Sequence, residues 1–294
     1  MDSKGEPLVG GPGGQSPLGL ACLPQPATWA GLDLSRPAVM GILNVTPDSF
    51  SDGGERFDFG RAVAAGVEMA GQGADIVDVG GESTRPGALA VSSDVEQARV
   101  VPVIRALAAA GLRVSVDTRS SATMEAALDA GAAIVNDVSA LEFDSRALDV
   151  VARRRCPVVL MHMRGTPETM KSLAQYDDVA LDVRRELSAR IDAAIAAGVA
   201  PESIAIDPGI GFAKTAAQNF ELLRRLSVLA DLGHPILVGV SRKHFLGPDV
   251  PPRDRLAGSL AAGLDALSRG ARILRVHDIP QSVQAIRVWQ ALQN

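Results

Sequence analysis

The chain has 294 residues, of which 47% are hydrophobic and only 3% aromatic, and it carries a formal net charge of -5. This length accommodates either two average domains or one (β/α)8 barrel of about 250 residues. The acidic balance argues against a nucleic-acid-binding surface, which requires a basic face, so no nucleic-acid partner is expected. No apolar stretch approaches the roughly 18 residues of a membrane span, so no membrane partner is expected either.

The first 25 residues differ from the rest of the sequence in composition. They contain the cluster GGPGG at residues 10–14 and lack periodic apolar residues, so we predict a flexible leader over 1–25 and one domain over 26–294. They also lack the basic start and continuous apolar core of a signal peptide. The two cysteines, Cys22 and Cys156, have no metal-ligand spacing, which favours a reduced, cytoplasmic protein.

From about residue 37 onward, short apolar runs rich in β-branched residues alternate with longer segments of helical period. The eight predicted strands are 38–43, 75–79, 113–116, 133–135, 157–161, 203–206, 235–240 and 272–276. Helical segments between them include 61–72, 95–109, 122–130, 178–197 and 217–229. This alternation predicts an α/β fold, namely a single (β/α)8 TIM barrel with the leader in front of it. An open doubly wound sheet is the alternative, but no Gly-x-Gly-x-x-Gly follows the first strand.

Every predicted strand ends in polar or charged residues. In chain order these are 44–48, 78 with 80–87, 117–119, 136–137, 162–164, 207–211, 241–244 and 277–278. A buried parallel strand needs only apolar residues. Since the strands of a barrel all point their carboxyl ends to one face, we expect these side chains to converge there on an active site.

The convergent residues divide into two chemical sets. One combines carboxylates, an amide and an ammonium, the mixture that reads the edges of a flat heterocycle; its members are Asp117, Asn136, Asp207 and Lys243. The other is suited to phosphate or diphosphate; its members are Arg85, Arg275 and His277.

Asn44 offers an oxygen ligand for Mg2+. Mg2+ is the one cofactor that we predict, and Asn44 is its one predicted protein ligand. Simpler interpretations remain for some positions. Asp207 could initiate a turn before Pro208, Arg85 could be a surface arginine, and His162 could be a hydrogen-bonded histidine behind the site.

These loops resemble the dihydropteroate synthase family, and the resemblance extends over essentially everything after the leader. The segments that carry it are MGILNVTPDSFSDGG at 40–54, DVGGESTRPG at 78–87, SVDT at 115–118, NDVSA at 136–140, MHM at 161–163, DPGIGFAKT at 207–215, GVSRK at 239–243 and RVHDI at 275–279. The first two are long and specific.

The resemblance implies an enzyme of folate biosynthesis that joins 6-hydroxymethyl-7,8-dihydropterin diphosphate to 4-aminobenzoate. It assigns pterin binding to Asp117, Asn136, Asp207 and Lys243, and the leaving diphosphate to Arg85, Arg275 and His277, with Asn44 at Mg2+ or the diphosphate. It assigns the surroundings of aminobenzoate to Thr84, Pro86 and Ser241, with Phe50 and Phe212 as apolar walls. A homodimer is also the family expectation.

Three positions depart from the common pattern of the family. His244 stands where Ser or Arg is common, Lys171 where Gln is frequent, and Ala213 where Gly is common. Two other functions stay open at this point. One is a methyltetrahydrofolate-type methyltransferase domain, which has no use for a diphosphate site, and the other is a non-catalytic paralogue that binds pterin without turnover.

Overall fold

The computed structural model describes residues 25–46, 55–83 and 91–293. Its barrel strands are β3 (Ala38–Asn44), β4 (Ile76–Gly80), β5 (Val114–Asp117), β6 (Ile134–Asp137), β7 (Val158–Met161), β8 (Ile204–Asp207), β9 (Ile236–Val238) and β10 (Ala271–Val276). These eight strands close into a parallel barrel in the order β10-β3-β4-β5-β6-β7-β8-β9, which confirms the predicted TIM barrel. A small antiparallel hairpin precedes them, formed by β1 (Thr28–Trp29) and β2 (Leu32–Asp33).

Helices surround the barrel. They are α1 (Glu55–Gly71), α2 (Ser93–Ala109), α3 (Ser121–Asp129), α4 (Ala147–Arg154), α5 (Val179–Ala196), α6 (Ala216–Arg224), α7 (Leu256–Ser268) and α8 (Ile279–Ala291). Short 3-10 turns occur at Pro201–Ser203, Leu226–Leu232, His244–Leu246 and Pro252–Asp254. The sequence predicts one helix over 217–229, whereas α6 ends at Arg224, because Arg225 leaves the helical region (φ -111, ψ 21) and a 3-10 turn follows.

The amino-terminal half of the barrel interior is an apolar core closed by the hairpin. Barrel residues of this core are Ala38, Met40, Ile76, Ile134, Val159, Ala205, Leu237 and Ile273, and Trp29, Leu32 and Leu34 pack against them. Trp29 is 2% exposed, and its indole N-H donates to the carbonyl of Ser203 at 2.9 Å. The hairpin therefore plugs one end of the barrel. No sequence pattern predicts this hairpin, since two-residue strands give no period-2 pattern.

A second core lies between the strands and the helices. On β5, Val114 and Val116 belong to this outer core. Because side chains alternate along a strand, Ser115 and Asp117 face the barrel interior. The carboxyl half of the interior thus receives polar side chains in place of apolar ones. In the parts of the chain that the structure describes, no helix is long and apolar enough to cross a bilayer.

Candidate active site

The parallel register aligns the strand ends at the carboxyl edge of the barrel. Asn44 of β3 is paired with Gly80 of β4, Gly80 with Asp117 of β5, and Asp117 with Asn136 of β6. One level deeper, Asp78 is paired with Ser115. Four consecutive strands therefore bring two amides, two carboxylates and a hydroxyl into one region, as the sequence predicts for the strand ends.

Arg275 joins these groups from the last strand. Its Nε donates to Asp78 Oδ2 at 2.7 Å, and its Nη2 donates to Asp117 Oδ2 at 2.6 Å. Asn136 Nδ2 also donates to Asp78 Oδ2, at 3.1 Å. Burial by itself lowers the pKa of Arg275, but the carboxylates of Asp78 and Asp117 outweigh it and raise the pKa above its ordinary value. The arginine is therefore a permanent cation that holds two carboxylates in place.

Two buried polar atoms of this cluster have no hydrogen-bond partner in the described part of the chain, namely Asp78 Oδ1 and Ser115 Oγ. Burial raises the pKa of Asp117, against the lowering effect of Arg275. Unpaired buried acceptors are costly, and they favour a ligand that supplies N-H donors. The sequence pattern places Asp78 among the polar strand ends but assigns no binding role to it, and it does not mark Ser115 as a site residue. Their signal was a polar residue inside a strand otherwise made of Val and Ile.

Asp207 and Lys243 lie close enough to this cluster for their charges to interact with each other and with Arg275. Asp207 is 6% exposed and its Oδ1 accepts the backbone N-H of Gly209 at 2.7 Å. Burial raises the pKa of Asp207 to about 6, and burial together with Arg275 lowers the pKa of Lys243 to about 8. The ammonium of Lys243 lies 4.2 Å from the centre of the Phe212 ring, a cation–π contact.

The segment after β9 connects Lys243 to the residues after β10. Arg242 has a left-handed backbone (φ 58), and its Nε donates to Asp278 at 3.0 Å. On either side of it, Lys243 contacts Phe212, and Ser241 Oγ lies 3.0 Å from His277 Nδ1. A non-glycine residue in this conformation is strained, and such strain is common where neighbouring side chains must be aimed at a site.

His277 is a neutral group in this setting. Burial lowers its pKa to about 4, and the cations of Arg242 and Arg275 act in the same direction. At neutral pH it can therefore form a hydrogen bond with an anion, but it does not contribute a positive charge.

Asn44 lies beside Asp117. A methyl group at Gly80 would be 3.8 Å from Asn44 Oδ1 and 3.6 Å from Asp117 Oδ2. Within the described ranges there is no group of three His, Cys, Asp or Glu side chains that could hold a metal ion. The donors fit Mg2+ only as an ion held partly by Asn44 and mainly by water and substrate phosphates, which is its usual manner of binding.

Phe50, Thr84, Arg85 and Pro86 lie outside the described residues. Of the three departures from the family pattern, His244 and Lys171 are exposed, and Ala213 is buried with φ 48. A left-handed backbone explains why glycine is common there, because glycine adopts it without strain.

Taken together, the pocket presents carboxylate acceptors, an amide, an ammonium and an arginine around the space at one barrel mouth. That set complements a planar heterocycle with donors and acceptors on its edges.

This barrel and its site define a pterin-binding enzyme. A sequence profile of the family described as pterin binding enzyme matches residues 40–277, and the chain belongs to that family. The dihydropteroate synthase of Synechocystis sp. is 47% identical over 261 residues, which cover 87% of this chain and 90% of the relative.

Solved structures show which of the pterin-binding enzymes are similar to this chain. A dihydropteroate synthase from Xanthomonas albilineans with 4-aminobenzoic acid has a TM-score of 0.84 and 51% identity, covering 89% of this chain and 95% of that one. The same enzyme in complex with 7,8-dihydropteroate gives 0.82 and 48%, with the same coverage. Among the pterin-binding enzymes, this chain belongs with the dihydropteroate synthases.

Proposed function

We propose that the chain condenses 6-hydroxymethyl-7,8-dihydropterin diphosphate with 4-aminobenzoate, releasing diphosphate and 7,8-dihydropteroate. The observation that carries this proposal is the buried cluster in which Arg275 joins Asp78 and Asp117 at the barrel mouth. A guanidine-like ring edge needs such carboxylates, and a leaving diphosphate needs the cation beside them.

Pterin recognition falls to the carboxylates and their neighbours. Asp117 and Asp207 would accept N-H groups of the ring, Asn136 would hydrogen-bond its edge, and Lys243 would donate to a ring oxygen or nitrogen. The raised pKa values of Asp117 and Asp207 support this, because the donors of a bound pterin would favour the ionised carboxylates that the empty pocket disfavours.

Departure of diphosphate is the step that the protein must assist. Aminobenzoate is a weak nucleophile, so stabilising charge on the departing oxygens matters more than deprotonating the amine. Arg275 uses Nε and Nη2 for the carboxylates, and its Nη1 would donate to the diphosphate together with His277 and Arg85. Mg2+, when bound with the help of Asn44, supplies further electrostatic stabilisation of the same oxygens.

The electron-rich pterin can share the positive charge that develops on its methylene carbon. Ionised Asp117 and Asp207 favour that charge. Aminobenzoate would then attack from a site bounded by Thr84, Pro86 and Ser241, with Phe50 and Phe212 as apolar walls.

The protein would act in the cytoplasm as a homodimer. The free, buried thiol of Cys156 suits a reducing compartment. Phe220 on α6 and Val288 and Leu292 at α8 are large exposed apolar residues, and these helices flank α7, a setting suited to a second copy. Light scattering on the purified protein tests the dimer.

The activity test incubates the full chain with both substrates and Mg2+, and follows diphosphate and dihydropteroate. Omitting aminobenzoate should abolish product formation. Replacing Mg2+ by a chelator should lower it. Lys243→Met should lose most activity, whereas Lys171→Met, which removes an exposed lysine, should retain it. Pterin binding without any product would indicate a non-catalytic paralogue, and methyl transfer from a methylated pterin to a corrinoid would indicate the methyltransferase.

A further inference from the structure

Lys214 lies at the centre of the loop that follows β8. Its Nζ donates to the carbonyls of Gly209 and Phe212, both at 3.0 Å, and to His162 Nδ1 at 3.0 Å. An ammonium has three N-H donors, and all three are used here. None of these contacts is with the pterin set described above.

The imidazole of His162 is fixed as an acceptor toward Lys214. Burial and the charge of Lys214 lower the pKa of His162 to about 4, so the ring is neutral. Since Nδ1 accepts from the ammonium, Nε2 carries the ring proton and donates to Glu186 Oε2 at 2.8 Å. Glu186 is held in turn by Arg164, whose Nε donates to Oε2 at 3.0 Å. His162 is thus hydrogen-bonded behind the site, in agreement with the simpler of its two interpretations.

The loop around Lys214 has an irregular backbone. Gly209 (φ 66), Gly211 (φ 88) and Ala213 (φ 48) are all left-handed. A Cβ atom at Gly209 would lie 1.9 Å from the carbonyl oxygen of His162, so this residue must be glycine. A backbone with this conformation lacks the regular hydrogen bonds of a helix or strand, so its carbonyl groups need other hydrogen-bond donors.

The same loop supports the ammonium that the pterin site uses. A Cβ atom at Gly211 would be 3.1 Å from Lys243 Cδ, so the backbone packs directly on that side chain. The Phe212 ring lies 4.2 Å from Lys243 Nζ. Any shift of residues 211–212 would therefore move Lys243.

We propose that Lys214 is a positioning residue for pterin binding, whose ammonium orders the loop 208–213 and thereby places Lys243. The inference rests on the proposed function only in assigning Lys243 to the pterin.

The arrangement should respond to pH. Burial lowers the pKa of Lys214 to about 7, while Asp207 and Glu186 oppose this effect and Arg164 and Lys243 reinforce it. A neutral amine has two N-H donors and a lone pair, so one of the three acceptors loses its partner when Lys214 is deprotonated. The loop should become less ordered as the pH rises through about 7. His162 also faces this amine, and Tyr176, whose ring centre is 6.0 Å from Nζ, lies nearby.

The test compares Lys214→Met with Lys171→Met and the parent, using 6-hydroxymethyl-7,8-dihydropterin diphosphate as the probe. Calorimetry at pH 6 should show Lys214→Met binding about 10- to 100-fold more weakly than the parent, the size expected for lost hydrogen bonds to a charged group. At pH 8.5 the difference should shrink to a few-fold or less. Because Lys214 also lowers the pKa of Asp207, the same ratio is measured in the Asp207→Asn background, where this carboxylate no longer titrates.

Hydrogen exchange of the parent protein gives a readout that needs no variant and no turnover. After correction for intrinsic rates, protection of residues 209–213 should fall between pH 6 and pH 8.5, while protection of β4 stays constant. Equal affinities, a pH-independent ratio, or unchanged protection of the loop would each overturn the proposal. Absence of dihydropteroate formation with this pH dependence intact would instead contradict the proposed function alone.

Discussion

Replacing Asp207 by Asn should stabilise the empty protein while weakening its binding of pterin. Asp207 is buried at the carboxyl end of β8, and this burial favours its neutral form. The amide oxygen of Asn can still accept the N-H of Gly209, which Oδ1 accepts at 2.7 Å in the parent. The substitution therefore removes the charge and keeps the local hydrogen bond.

The magnitude follows from linkage between protonation and folding. A rise in pKa from 3.8 to about 6 corresponds to at most about 3 kcal/mol, and we expect about 1–3 kcal/mol. The sign is that of an acid whose folded pKa is raised: the unfolded chain releases its proton first. Stability from this group is present below pH 3.8 and is lost as the pH rises to about 6. At pH 7.5 the Asp207→Asn variant should therefore melt about 2–8 °C above the parent.

Thermal unfolding without substrate at pH 4.5 and pH 7.5 is the assay. The gain in Tm should be larger at pH 7.5, and Asp192→Asn, which changes an exposed residue of α5, should change Tm very little. Calorimetry should show pterin diphosphate bound about 10- to 150-fold more weakly by Asp207→Asn, since a charge-assisted hydrogen bond contributes about 1.5–3 kcal/mol. A variant that is less stable at pH 7.5, or equally stabilised at both pH values, would refute the reasoning.

Three other predictions concern single residues. Lys243→Met should weaken pterin diphosphate binding about 10- to 150-fold in calorimetry. It should also raise the Tm of the empty protein below about pH 8, because burial of the charged Lys243 side chain is unfavourable and lowers its pKa. Unchanged affinity would mean that Lys243 does not bind the pterin. Arg275→Ala should lower kcat about 10- to 1000-fold in steady-state assays of diphosphate release, with little change in KM for aminobenzoate, and a loss confined to that KM would assign Arg275 to the acceptor. Trp29→Ala should reduce the free energy of unfolding by about 3–5 kcal/mol in urea titrations, because it empties the plug of the barrel; a loss below about 1 kcal/mol would mean that the hairpin does not close the core.

The local sequence pattern predicts the barrel, and it places the carboxyl end of every strand within two residues of its observed position. Each strand is a short apolar run whose residues are neighbours in the chain, so its period and its limits can be predicted locally. The same pattern predicts Asp117, Asn136 and Asp207 as strand-end residues. Asp117 and Asp207 are the last residues of β5 and β8, and Asn136 is the second-last residue of β6.

Which side chains form hydrogen bonds with one another depends on the closed barrel and cannot be predicted from local pattern. Arg275 and Asp78 are 197 positions apart, and closure of the barrel between β10 and β3 brings them together, so no local pattern could pair them. The hairpin of Trp29 gains its role as a plug from a core contributed by seven barrel strands. Lys214 resembles any lysine of a polar loop until the fold surrounds its ammonium with two carbonyls and the ring of His162. Residue type and local period are properties of the chain, whereas burial, and with it the pKa of every group in the pocket, depends on which distant segments pack around it.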